Sequence, residues 1–369
     1  MNEAISAVPA SASMKMSSIA NKLKGAGKSI CSLALGDTHF SPPSEIVGQI
    51  QAAIADGKTH YGDSAGLDLL RSKIASANYA ERKWNQENIL IVPGLKQGIR
   101  YVVEVIEPDR VCILEPAWLG YEATARIGGA KVCRVDMQND DWLDELATQE
   151  FDLLFACSPN NPDGRILSKS QIDRLVEISS RRDAWLFFDE IYSRYDYTGN
   201  WVSISRMTDY EKLIVGNGFS KAYAMTGFRL GWLATGNRMF WEQSVKLQQH
   251  VATCPNIPVQ HGIANAFDQS KFIERIKEYY AANRQFVAEE LPALRAFCPE
   301  AGFYYFFPVS LVSGYNNGQN YAEALLQESG LALVPGGAYG SSYEGWVRMS
   351  FSVDREVLED GLKRLKSFG

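Results

Sequence analysis

Three short segments carry side chains able to converge on one ligand. Ser158-Pro159-Asn160-Asn161-Pro162-Asp163-Gly164 offers an amide, Asp189-Glu190-Ile191-Tyr192 a carboxylate and a phenol, and Gly216-Asn217-Gly218-Phe219-Ser220-Lys221 an amine. Each follows an apolar run, Leu153 to Ala156, Trp185 to Phe188 and Leu213 to Val215. Taken singly they are ordinary: a turn, a helix cap, a solvated lysine. Their joint occurrence behind adjacent buried runs changes the reading. A lysine amine forms a Schiff base with an aldehyde, and an Asp carboxylate keeps a pyridine nitrogen protonated so that the ring draws electrons. An Asn amide and a Tyr hydroxyl can hold a ring oxygen as phenolate. Two further segments complete such a site. Pro93-Gly94-Leu95-Lys96-Gln97-Gly98-Ile99 follows the run Ile89 to Val92 and opens a helical pattern, so its backbone N–H groups can cradle a phosphate. Arg229 can add a fork of donors to the same phosphate.

The elements that must position these groups are legible as alternation. Apolar runs at 89–92, 111–114, 153–156, 185–188, 213–215 and 230–233 read as strands buried on both faces. Helical patterns such as Gln171 to Arg181 lie between them. That is a mainly parallel sheet covered by helices, in which ligands bind beyond the carboxyl ends of the strands. After about residue 245 the pattern changes to a long charged helix, Lys271 to Leu291, and a section with strands at Phe303 to Phe307 and Trp346 to Phe351. We expect an N-terminal arm with part of a small domain over residues 1–40, a large domain over 41–280 and a small α+β domain over 281–369.

Composition excludes several classes. The chain has 369 residues, 46% hydrophobic and 22% charged, with a formal net charge of −6, so a polyanion-binding surface is disfavoured. The six cysteines show no C-x-x-C pairs and the four histidines no ligand spacing, so neither a metal site nor a disulfide framework is expected, and a reducing cytoplasm fits. Met1 to Ser13 lacks a basic start followed by an apolar run and reads as a loose arm, and no stretch is apolar enough to span a bilayer. Asp56-Gly57-Lys58-Thr59 ends like a P-loop, but its leading glycine would fall on Ala52, and it follows a helical pattern where a strand is required.

Read together, Ser158 to Gly164, Asp189 to Tyr192, Ser220 to Gly227 and Arg229-Leu230-Gly231 resemble the class I and II aminotransferases, the fold-type I enzymes of pyridoxal 5'-phosphate (PLP). Tyr61-Gly62-Asp63-Ser64-Ala65-Gly66-Leu67, Glu115-Pro116-Ala117-Trp118, Ala301-Gly302-Phe303-Tyr304, Val334 to Gly340 and Val347-Arg348-Met349-Ser350-Phe351 extend the similarity over most of the chain. The resemblance implies an α/β fold with a mainly parallel seven-stranded sheet and a smaller α+β domain. It implies an aminotransferase that exchanges an amino group between an amino acid and a 2-oxo acid through a Lys221 aldimine. Asp189 would pair with the pyridinium nitrogen, Asn161 and Tyr192 would hold the ring oxygen, Gly94, Leu95, Lys96 and Arg229 would face the cofactor phosphate, and Ser220 would also bind the cofactor. Trp118 would stack on the ring and Arg348 would clamp the substrate α-carboxylate, with Gly36 and His39 near the substrate. Tyr61 would reach the phosphate of a neighbouring subunit, giving a homodimer with sites at the interface.

Departures from the family pattern keep alternatives open. His39, in Gly36-Asp37-Thr38-His39-Phe40, stands where an acid is common. Asp163 replaces a usual Thr, and Gly218 stands where many members carry a phosphate-binding Ser. A PLP-dependent lyase, racemase or cyclising synthase shares the scaffold, and a non-catalytic PLP-binding module is a further alternative.

Overall fold

The computed structural model describes residues 3–8, 10 and 12–368; positions 1, 2, 9 and 11 of the expected arm, and residue 369, lie outside them. Among the described residues the strands in chain order are β1 (Cys31–Ser32), β2 (Ile89–Val92), β3 (Arg110–Glu115), β4 (Lys131–Asp136), β5 (Leu153–Cys157) and β6 (Trp185–Asp189). They continue with β7 (Leu213–Gly218), β8 (Gly231–Thr235), β9 (Tyr304–Pro308), β10 (Leu331–Ala332), β11 (Val334–Pro335) and β12 (Trp346–Ser350).

Seven of them form the main sheet in the order β2-β8-β7-β6-β5-β3-β4. Strand β8 runs antiparallel to both β2 and β7, and the other neighbours are parallel. Parallel neighbours need crossover connections, and helices supply them. Helix Leu95–Ile106 buries Leu95, Ile99, Val102 and Val103, a spacing that keeps one stripe on the sheet. Helix Lys169–Arg181 starts at a capping box of Ser168 and Gln171 and buries Ile172, Leu175 and Ile178. Alternate residues of β5 enter opposite cores, Leu154 and Ala156 on one face, Leu153 and Phe155 on the other, so both faces are covered.

Five of the six apolar runs match strand positions from their first or second residue, and β7 continues past its run through Gly218. The last begins one residue late, at Gly231. The pattern misses β4, where Lys131, Arg134 and Asp136 interrupt the apolar residues. β4 is an edge strand, and Val135 is its buried residue. Gly218 pairs with Gly231 across β7 and β8. A Cβ on Gly218 would lie 3.0 Å from the Gly231 Cα, so the serine common at this position in the family would crowd the opposing backbone. A Cβ on Gly231 would lie 2.9 Å from both Asn217 O and Leu95 N, so β8 presses its backbone directly under the turn that opens helix Leu95–Ile106.

A second sheet, β11-β12-β9, is antiparallel and lies in a separate core with Tyr305, Phe307, Val347 and Met349. The long helix Ser270–Glu290 contributes Ile276, Tyr280 and Val287 to that core. The expectation of a loose N-terminal arm is corrected here. Residues Glu3–Ala7 and Ala12–Gly25 are helical, and Met16 and Ala20 of the second helix are buried in the same core as β9 and β12. The apolar residues needed to anchor this helix lie beyond Ser13, past the segment whose composition suggested looseness.

Candidate active site

A cavity of about 300 Å³ opens at the carboxyl ends of β5, β6 and β7. Its walls include Cys157 and Asp189, the last residues of β5 and β6, Asn161 from the following turn, and Ser220 and Lys221 just past β7. Gly36, Leu95, Lys96, Trp118, Tyr192, Arg229 and Arg348 line it as well. Thus most of the residues singled out from sequence meet in one space, although they are drawn from both sheets and from the chain before β2.

Asp189 is buried, and both carboxylate oxygens already have donors: Oδ1 accepts from the Ile191 N–H at 2.9 Å and Oδ2 from the Tyr121 hydroxyl at 2.7 Å. Burial nevertheless raises its pKa from 3.8 to about 6, against the lowering effect of those bonds and of Lys221. A cation beside this carboxylate would restore its ionised form. The Lys221 ammonium donates to Gly36 O at 2.6 Å. Desolvation lowers its pKa to about 8, opposed first by Asp37, while Arg348 and Arg229 push the same way as burial and Asp189 against it. Lowering the pKa from 10.5 to about 8 enlarges the neutral fraction of the amine near neutral pH, the state required of a nucleophile or general base.

Arg348, on β12, is buried. Its two terminal nitrogens donate to Asn161 Oδ1 at 3.1 Å and Ala34 O at 2.8 Å, and its guanidinium lies 4.0 Å from the centre of the Tyr304 ring. Its Nε finds no hydrogen-bond partner. A buried guanidinium with a spare donor at a cavity wall suits a carboxylate. At the other end, Gly94 precedes helix Leu95–Ile106 with φ +81°, and a Cβ there would meet the Arg229 guanidinium at 2.5 Å. The turn therefore needs glycine for both conformation and space, and it sets helix N–H groups beside a guanidinium, a cradle for a dianionic phosphate. Between the two ends stand the Trp118 face, with the Lys96 ammonium 5.7 Å from the ring centre, and the Tyr192 hydroxyl. Phosphate cradle, flat wall, carboxylate and amine together fit PLP.

Three expected residues do not line the cavity: Gly94, which lies just before the lining residue Leu95, Tyr61 and His39. Tyr61 is 85% exposed on its own chain. His39 packs against Phe40, Tyr279 and Tyr280, with Nε2 3.7 Å from Asp354, and aromatic packing holds it there. Residues that sequence reading gave no role are Tyr121, bonded to Asp189, and Tyr304, whose hydroxyl is 2.9 Å from that of Tyr192. Asp37 also escaped notice, and its Oδ2 accepts from Thr226 Oγ1 at 3.0 Å. Tyr121 lies three residues after Trp118, and Tyr304 within a family landmark, but neither spacing announces a contact across the fold.

A family model described as aminotransferase class I and II matches residues 28–365. The chain belongs to the class I and II aminotransferase family. This aminotransferase is 31% identical over 359 residues to the aspartate aminotransferase of Pyrococcus abyssi, covering 92% of this chain and 91% of the relative. Aromatic-amino-acid aminotransferase 2 of Thermococcus litoralis is 29% identical over 362 residues, covering 91% of each. Aspartate aminotransferase of Thermus thermophilus with maleate superposes with a TM-score of 0.93 at 27% identity, over 100% of this chain and 99% of that one. The chain is thus a fold-type I, PLP-dependent aminotransferase that moves an amino group between an amino acid and a 2-oxo acid.

Proposed function

We propose that the cavity beyond β5–β7 is the catalytic centre, with Lys221 as the covalent anchor and proton carrier, Asp189 as the partner of the ring nitrogen, and Arg348 as the clamp on the substrate α-carboxylate. One observation carries this reading: the Lys221 amine, the buried Asp189 carboxylate and the half-satisfied Arg348 guanidinium face one enclosed space. PLP, when bound, supplies an electron sink for the pair left by a broken bond at the substrate α-carbon.

The chain's residues do the rest. Gly94, Leu95, Lys96, Ser220 and Arg229 hold the phosphate, and Trp118 covers the ring face. Tyr192 and Asn161 hold the ring oxygen, and Asn161 at the same time steadies Arg348 through the 3.1 Å bond. Lys221 Nζ would take the substrate α-proton and give it back, because its lowered pKa favours accepting and releasing a proton near neutral pH.

The lining cations are Lys96, Lys221, Arg229 and Arg348, against the single carboxylate of Asp189. That surplus suits a phosphate and the substrate α-carboxylate. The Pyrococcus and Thermus relatives named for aspartate support an acidic amino donor. We also assign residues 1–40 to the arm and part of the small domain, 41–280 to the large domain and 281–369 to the small domain, in keeping with the separate cores. A cytoplasmic homodimer is supported by the six free cysteines and by the exposed Tyr61, which would complete the phosphate site of a second copy. The deciding experiment mixes the PLP-loaded protein with each common amino acid, follows its spectrum and assays the products. A 2-oxo acid from aspartate, with return of the amino group to a second 2-oxo acid, is expected. Ammonia release, racemisation or ring closure in its place would move the chain to another reaction on the same scaffold.

A further inference from the structure

We infer that Tyr304 is a positioning residue that binds the carboxylate clamp and the ring-oxygen phenol into one unit. The inference rests on the roles proposed above for Arg348 and Tyr192. Arg348 stands opposite Phe306 in the β9–β12 pairing, so Tyr304 is its diagonal neighbour on the same face, near enough for an aromatic ring to reach. The Arg348 guanidinium lies 4.0 Å from the Tyr304 ring centre. A buried guanidinium above an aromatic face is held electrostatically without using a hydrogen-bond donor. That leaves Asn161 and Ala34 to occupy the terminal nitrogens, with Nε unpaired.

The far end of the same ring completes the link. The Tyr304 hydroxyl is 2.9 Å from the Tyr192 hydroxyl, and both residues are buried. When Tyr304 donates, the Tyr192 proton is free to point at the ring oxygen, so the pair fixes which way Tyr192 donates. The ring is also pinned from the side. A Cβ on Gly36 would lie only 2.1 Å from the Tyr304 hydroxyl oxygen, which shows how closely the chain at Gly36 confines it. Gly36 O is in turn the acceptor of the Lys221 amine. One side chain therefore registers the substrate's carboxylate against the phenol, in a position set by the backbone that also receives the catalytic amine.

The test separates the two ends of the ring in the PLP-loaded enzyme. Tyr304→Phe keeps the face under Arg348 and removes the hydroxyl, whereas Tyr304→Leu removes both. Propionate serves as a probe for the carboxylate clamp, and the pH midpoint of the visible absorbance reports on the ring oxygen. Tyr304→Leu is expected to weaken propionate about tenfold and to raise KM more than it lowers kcat, the scale of a lost cation–π contact. Tyr304→Phe is expected to keep propionate affinity while moving the absorbance midpoint by about half a unit in the direction of Tyr192→Phe, as loss of one neutral hydrogen bond would. A parental midpoint in Tyr304→Phe overturns the inference, and decides the matter even where Tyr304→Leu fails to fold. Arg348→Lys and Tyr192→Phe are the controls. If Arg348→Lys leaves propionate affinity or Tyr192→Phe leaves the midpoint unchanged, the underlying role assignment falls. If both controls respond and the Tyr304 variants do not, the Tyr304 link alone falls.

Discussion

A carboxylate sealed from water resists ionisation, and Asp189 has only neutral donors on its two oxygens. Its pKa of about 6, raised from 3.8 chiefly by burial, has a consequence for the protein without its cofactor. Between those two values the folded protein holds a proton that the unfolded chain has released, so stability falls as pH rises through that window and stays lower above it. The shift corresponds to something on the order of 3 kcal/mol. We therefore expect Asp189→Asn to raise the Tm of the cofactor-free protein at pH 7 and to flatten the decline in Tm between pH 4 and 6. A variant less stable than the parent at pH 7 would contradict it. In the loaded enzyme the same position should act in the opposite sense: Asp189→Ala should lower kcat by at least about 10³-fold, or roughly 4 kcal/mol of barrier, and kinetics within tenfold of the parent would refute its role. Lys221→Ala should abolish the visible absorbance of the covalent cofactor, read from a spectrum of the purified protein. Residues such as these were legible in sequence because their chemistry is scarce and they follow apolar runs. Tyr121 and Tyr304 were not, because a tyrosine before a partner in a distant strand looks like any core aromatic until the strands are paired.

Among the elements that face the cofactor site, the strand-to-helix turn at Gly94 has little freedom. Its φ of +81° and the 2.5 Å approach of Arg229 to a notional Cβ mean that Gly94→Ala strains the backbone and displaces the guanidinium together. Alanine at positive φ costs about 1 kcal/mol or more, and we expect a cofactor affinity at least tenfold weaker in an equilibrium titration. Unchanged affinity would exclude this turn from the phosphate site. The sheet itself was readable wherever strands are sealed on both faces, since such strands are continuous apolar runs. β4 escaped because, unlike the fully buried edge strand β2 at the other end of the sheet, it keeps most of its residues partly exposed, and Lys131, Arg134 and Asp136 break the run. The helix Ala12–Gly25 escaped although Ala12, Met16, Ile19, Ala20 and Leu23 pack one face on the core, because of these only Met16 and Ala20 are buried and polar residues fill most of the rest.

At the scale of the molecule, Tyr61 is 85% exposed although the resemblance gives it a phosphate to reach. The two agree when a second copy covers it. Sedimentation is expected to give a dimer, and Tyr61→Ala to weaken cofactor binding while leaving the unfolding transition of the cofactor-free chain nearly in place; a monomer retaining full cofactor affinity would rule this out. His39 belongs to the same scale, since its position near the substrate was inferred from neighbours in sequence, and three aromatic rings from the long helix and the adjoining residue hold it outside the cavity lining.

The close approach of Gly218 to Gly231, and of Gly231 to the Leu95 amide, sets main chain against main chain beneath the turn that opens helix Leu95–Ile106. Peptide groups have no alternative rotamers, so nothing at these contacts can be exchanged or remodelled by replacing a side chain without forcing the strands apart. Adaptation to a new amino acid, by natural drift or by directed evolution, is thereby channelled into the rim, where an exposed lining residue such as Met14 can change while the foundation is inherited intact.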